Sequence, residues 1–161
     1  MKTPIYLDNH ATTPVDPRVL EAMLPALSGV FGNASSRSHS LGWDAEKLVD
    51  AARREVATLL GADPREIVFT SGATESNNLA ILGVAEANPK GRHIISARTE
   101  HPAVLDSLAH LEANGYRITW LPLDKTGRAG AADVDAAIED ETVLITLMAA
   151  NNEIGTIHPF A

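Results

Sequence analysis

Two alternating periodicities constrain this chain more than any other feature. Four β-like runs, Glu66–Thr70, His93–Ala97, Tyr116–Leu121 and Thr142–Leu147, are separated by helical patterns over Glu75–Ala87, Pro102–Ala113 and Ala131–Ile138. Strand, helix, strand in this rhythm implies right-handed βαβ crossovers and a mainly parallel sheet, so an α/β fold is predicted. Gly91, Gly115 and Gly127 fall at or between element ends, where chain reversals need them. A sheet of this kind binds ligands outside the C-terminal ends of its strands. Three polar clusters stand just there: Ser71–Thr74, Thr99-Glu100-His101 and Asn151-Asn152-Glu153. They are expected to converge on one edge.

Upstream, residues 1–14 read as an extended lead-in with Pro4 and Pro14 as breakers. Asp16-Pro17 has the form of an N-cap followed by proline at the first helical position. It opens a helix over Val19, Leu20, Met23, Leu24 and Leu27, with Pro25 inside its last turns. Ser28 to Ser40 reads as a loop. A second helix is predicted from about Trp43 or Asp44, with Leu48, Ala52, Val56 and Leu59 on one face, closed by Gly61-Ala62-Asp63-Pro64. No internal repeat, low-complexity segment or long linker divides the chain.

A formal charge of −8 argues against a nucleic-acid or anionic-membrane partner. No segment has the apolar length of a signal peptide or a membrane span, which makes the cytoplasm the default location. There is no cysteine, so this chain contains no disulfide, thiolate metal site or cysteine nucleophile of its own.

The densest cluster is Phe69-Thr70-Ser71-Gly72-Ala73-Thr74-Glu75-Ser76-Asn77-Asn78, after Ile67-Val68 and before an apolar-periodic stretch. A strand turning into a helix here leaves backbone N–H groups unpaired. With the helix dipole and two hydroxyls they form an anion site. Ordinary capping by Thr74 or Ser71 accounts for the same residues. His101 lies between a strand and a helix, where an imidazole can stack on an aromatic ring or shuttle a proton; the alternative is a capping or surface histidine. Asn151-Asn152 supplies uncharged donors and acceptors suited to a phenolate or a carboxylate, or else a polar turn completed by Gly155. Asp8, His10 and His39 invite a metal reading. No histidine pair has the helical spacing of a zinc site, so no metal is expected. Neither a Gly-x-Ser-x-Gly elbow, a Gly-x-Gly-x-x-Gly turn nor a Walker lysine is present.

Together, Tyr6-Leu7-Asp8-Asn9-His10-Ala11-Thr12-Thr13-Pro14, Gly32-Asn33-Ala34-Ser35-Ser36 with His39, Phe69–Asn77, Thr99-Glu100-His101 and Asn151-Asn152-Glu153-Ile154-Gly155 closely resemble the N-terminal part of the cysteine desulfurases. These are class V aminotransferase-like enzymes that use pyridoxal 5′-phosphate (PLP). The resemblance spans essentially the whole chain, in order and at family-like spacing. It implies the N-terminal part of a fold-type I PLP-dependent transferase large domain: residues 1–14 as lead-in, and residues 15–161 as a PLP-binding large domain incomplete on its C-terminal side. By that resemblance Ala73 and Thr74 bind the PLP phosphate through backbone N–H and hydroxyl. His101 stacks on the pyridine ring and assists proton transfer, and Asn152 lies beside the 3′-oxygen and the substrate carboxylate. The implied reaction takes L-cysteine to L-alanine. Its sulfur leaves as a persulfide on an enzyme cysteine, bound for an iron–sulfur scaffold or another acceptor such as a tRNA thiolation pathway.

The departures are as informative. By the resemblance, the family's Schiff-base lysine, the aspartate that pairs with the pyridine nitrogen, the sulfur-accepting cysteine and the substrate-binding arginine are expected in a part beyond Ala161. Lys2, Lys47, Lys90 and Lys125 stand apart from the clusters. The chain alone is therefore expected to be inactive and to need the remainder of the enzyme or a complementary chain, with a homodimer when complete. Its end at Ile157-His158-Pro159-Phe160-Ala161 reads as an interruption. A selenocysteine lyase, another class V relative, or a non-catalytic partner of a full-length desulfurase are the competing readings.

Overall fold

The computed structural model describes residues 4–88 and 91–159; Lys2, Lys90 and the terminal Phe160-Ala161 lie outside the described residues. The chain divides into two compact units, Met1–Phe69 and Thr70–Ala161.

In the first unit the Asp16 carboxylate accepts from the Arg18 N–H at 2.8 Å and Pro17 occupies the first helical position, so helix α1 runs Pro17–Ser28. It passes through Pro25, and none of its residues is buried. Helix α2, Ser40–Leu60, starts three residues before Trp43. The sequence hid this start because the cap is a histidine: His39 Nδ1 accepts from the Gly42 N–H at 3.2 Å. A Cβ at Gly42 would lie 1.9 Å from the Ser36 carbonyl oxygen, so the loop packs directly on the first turn. Gly61 closes α2 in the left-handed region at φ 66°. A 3-10 turn over Pro64–Glu66 follows, boxed by Asp63 and Glu66.

The predicted strand over Glu66–Thr70 does not form. Glu66 belongs to the 3-10 turn, and Ile67–Thr70 continues without ladder partners. Ile67 has extended torsions, but its carbonyl accepts from the Arg53 guanidinium, which also covers the Phe69 ring at 5.0 Å. A strand exists only by pairing, and every strand of the sheet lies in the second unit.

That unit contains helix α3 (Ala73–Ala87), strand β1 (His93–Ser96), helix α4 (Pro102–Ala113), strand β2 (Arg117–Trp120), helix α5 (Ala131–Ala137) and strand β3 (Thr142–Ile145). The sheet is parallel throughout, in order β2-β1-β3, so the predicted fold class holds with three strands in place of four. Residues alternate across β1. Ile94 packs with Ile81, Ala85, Val104 and Leu108 from α3 and α4, whereas Ile95 packs with Leu121, Ala129 and, from α5, Val134 and Ala137. Helices therefore cover both sheet faces, with Ile94, Ile95 and Leu108 fully buried. At the start of β1 the buried His93 ring ties all three strands, its nitrogens 2.7 Å from the Thr142 and Thr119 hydroxyls. Burial holds this imidazole below the usual histidine range, and the nearby Arg117 charge adds to the effect.

Candidate functional site

Helix α3 begins without a side-chain cap. Gly72, in extended conformation, is its N-cap, and a Cβ there would meet nothing within 4 Å, so the approach to the first turn is open. The first helical bond runs from the Ser76 N–H to the Gly72 carbonyl at 3.1 Å, which leaves the N–H groups of Ala73, Thr74 and Glu75 without an acceptor in the helix. Ala73 and Thr74 are exposed. Ser71, one of the two hydroxyls expected to serve an anion, is already engaged: its N–H and Oγ both donate to Glu75 Oε2 at 2.6 Å. Those bonds hold the Glu75 carboxyl below the usual carboxylate range. The donor set left for an anion is the first-turn amides and the Thr74 hydroxyl.

His101 caps α4. Its Nδ1 accepts from the Ala103 N–H at 3.1 Å, while the residue stays exposed and Pro102 takes the first helical position. A ring nitrogen that accepts carries no proton, so the second nitrogen, Nε2, bears the N–H of the neutral ring. Capping and an available ring are thus compatible roles. Asn152 sits exposed in a tight turn, with its Nδ2 donating to Glu153 Oε1 at 3.2 Å. The turn is shaped by Asn151, whose Oδ1 accepts from the Glu153 and Ile154 N–H groups at 2.8 and 2.9 Å, and by Gly155 at φ 72°.

Two of the three clusters meet. β1 and β3 are neighbours, so the loops that leave their C-terminal ends run side by side. Glu100 Oε1 accepts from the Met148 N–H at 2.7 Å, and Asn151 Nδ2 donates to the Thr99 carbonyl at 2.8 Å. His101 and Asn152 are each one residue from these bonds. Both Glu100 and Asn151 are buried, and burial pushes the Glu100 carboxyl up against the opposing effect of the Met148 N–H. The third cluster is held differently: α3 packs on α4 and β3, and among the described residues no hydrogen bond joins Ser71–Thr74 to the other two loops. Sequence reading noted Glu100 and Asn151 as cluster members but gave neither a role of its own. The available signal was an acidic residue wedged between a strand end and a His-Pro helix start.

Lys47 pairs with Asp44 at 2.9 Å on α2, and Lys125 lies in the turn bracketed by Asp124 and Gly127. Among the described residues no group of three or more histidine, aspartate or glutamate side chains is placed to hold a metal ion.

Residues 5–161 match the family model for class-V aminotransferases. The chain is 56% identical over 162 residues to a cysteine desulfurase IscS of Anaeromyxobacter sp. (strain K), covering 100% of this chain and 40% of that protein. It is 55% identical to a mitochondrial cysteine desulfurase of Arthroderma benhamiae, covering 97% of this chain and 32% of that protein. Among solved structures, a NifS-like protein superposes with a TM-score of 0.91 at 41% identity, over 98% of this chain and 43% of that one. SspA in complex with cysteine superposes with a TM-score of 0.84 at 44% identity, over 96% and 44% of the two chains. The chain thus spans about two-fifths of the length of the relatives it matches.

Proposed function

We propose that this chain, which belongs to the class-V aminotransferase family, is the N-terminal portion of a PLP-dependent cysteine desulfurase. The complete enzyme converts L-cysteine to L-alanine and passes the sulfur, as an enzyme persulfide, to an iron–sulfur scaffold or a thiolation acceptor. The uncapped, openly approached first turn of α3 carries the reading. It suits a dianionic phosphate ester, since helix amides and dipole favour an anion and a hydroxyl stands beside them.

In this reading the Ala73 and Thr74 N–H groups and the Thr74 hydroxyl hold the cofactor phosphate. His101 lies against the pyridine ring and holds a proton at Nε2, its Nδ1 being fixed by the Ala103 amide. Asn152 offers an uncharged amide to the 3′-oxygen and the substrate carboxylate. When bound, PLP supplies the electron sink, and these residues supply position and charge. L-Cysteine as substrate is supported by the cysteine held in the SspA relative. Residues 1–14 serve as a lead-in and residues 15–161 as an incomplete large domain, completed in a cytoplasmic homodimer. No helix among the described residues is long and apolar enough to cross a membrane.

Alanine release from L-cysteine, measured with added PLP, tests the proposal. The enzyme completed to the length of its relatives is expected to turn over and the 161-residue chain is not. Turnover by the chain alone, or none by the completed protein, would contradict it.

A further inference from the structure

We infer that Glu100 and Asn151 are positioning residues: they fasten the loop carrying His101 to the loop carrying Asn152, and so set the spacing of two cofactor-facing groups. The inference rests on the PLP reading above. Backbone pairing between β1 and β3 ends with the Thr146 N–H on the Ile95 carbonyl at 2.9 Å. Beyond that point two side chains continue the connection, in opposite directions. Glu100, from the β1 loop, takes the Met148 N–H of the β3 loop at 2.7 Å. Asn151, from the β3 loop, gives its Nδ2 hydrogen to the Thr99 carbonyl of the β1 loop at 2.8 Å.

Their burial makes the arrangement specific. Glu100 is 7% exposed and Asn151 6%, whereas His101 and Asn152, one residue further along, are exposed. A carboxylate is costly to bury. At this position it serves a backbone N–H that has left the sheet ladder. Asn151 has a second task, because its Oδ1 shapes the turn that presents Asn152. The pair anchors both loops from below and leaves their outer residues free to meet a ligand.

The test uses the completed, PLP-loaded enzyme. It compares wild type with Glu100→Ala, Glu100→Gln and, as a core control, Leu108→Ala. The readouts are the rate of PLP release, the visible absorbance of the bound cofactor and amide exchange at Met148. Loss of one buried hydrogen bond is expected to speed PLP release about tenfold in Glu100→Ala, with a changed absorbance and faster Met148 exchange. Gln keeps an acceptor for the Met148 N–H and is expected to restore release to within about twofold of wild type. Leu108→Ala is expected to lower the unfolding midpoint while leaving release unchanged. Wild-type release and absorbance in Glu100→Ala, or equal acceleration in Leu108→Ala, overturns the inference. A wild-type enzyme that fails to retain PLP overturns the cofactor reading itself, and this inference with it.

Discussion

At the residue scale, environment separates groups that look alike in sequence. Both His93 and His101 follow polar or charged neighbours, yet one ring is sealed between two threonine hydroxyls and the other caps an exposed helix start. The folded state lowers the His93 proton affinity, so below about pH 6.5 the unfolded chain binds more protons than the folded one. Its stabilising contribution is complete above that pH and is lost as pH falls toward the lowered folded value. Urea midpoints measured from pH 7.5 down to about pH 5 should therefore drop more steeply in wild type than in His93→Gln, which cannot titrate. His101→Ala in the completed enzyme is expected to slow alanine formation more than it weakens PLP retention, and a kcat equal to wild type would remove the proposed role. The placement of His101 and Asn152 in loops that follow strands was legible in the sequence. The buried struts were not, because depth below the loop surface depends on tertiary packing.

At the scale of elements, local signals placed most boundaries. Asp16-Pro17 marked the start of α1, Gly61 the end of α2, and α4 occupies its predicted span Pro102–Ala113. Two of the larger differences have distinct physical origins. A histidine cap advanced the start of α2, and Glu66–Thr70 carries strand-like side chains but has no ladder partner. Pairing is a non-local property that β-propensity cannot report. Glycine positions give the sharpest checks on this architecture. A Cβ at Gly91 would lie 2.5 Å from both the Glu141 carbonyl oxygen and Val143 Cγ1, where the chain enters β1 beside β3. Gly91→Ala is expected to cost about 1–3 kcal/mol in urea denaturation as the edge pairing yields. Gly61→Ala, at positive φ with open space around it, should cost only about 1 kcal/mol.

At the scale of the whole molecule, the chain carries the sheet core and the exposed, uncapped start of α3 but spans about two-fifths of its relatives' length. Val19, Leu24 and Leu27 on α1 and Val68 and Phe69 beyond α2 remain exposed. Apolar surface of this kind seeks cover. The isolated chain is therefore expected to self-associate, with an apparent mass in light scattering that falls on dilution; a concentration-independent monomer would count against that. The first turn of α3 is proposed to hold the phosphate of PLP. The most direct measurement is the rate at which PLP leaves the completed enzyme, wild type against Thr74→Val, which removes the hydroxyl and keeps the backbone N–H. Loss of that charge-assisted hydrogen bond predicts release faster by roughly tenfold or more, with the fold unchanged by circular dichroism. Release at the wild-type rate would contradict the placement of the cofactor phosphate at this helix.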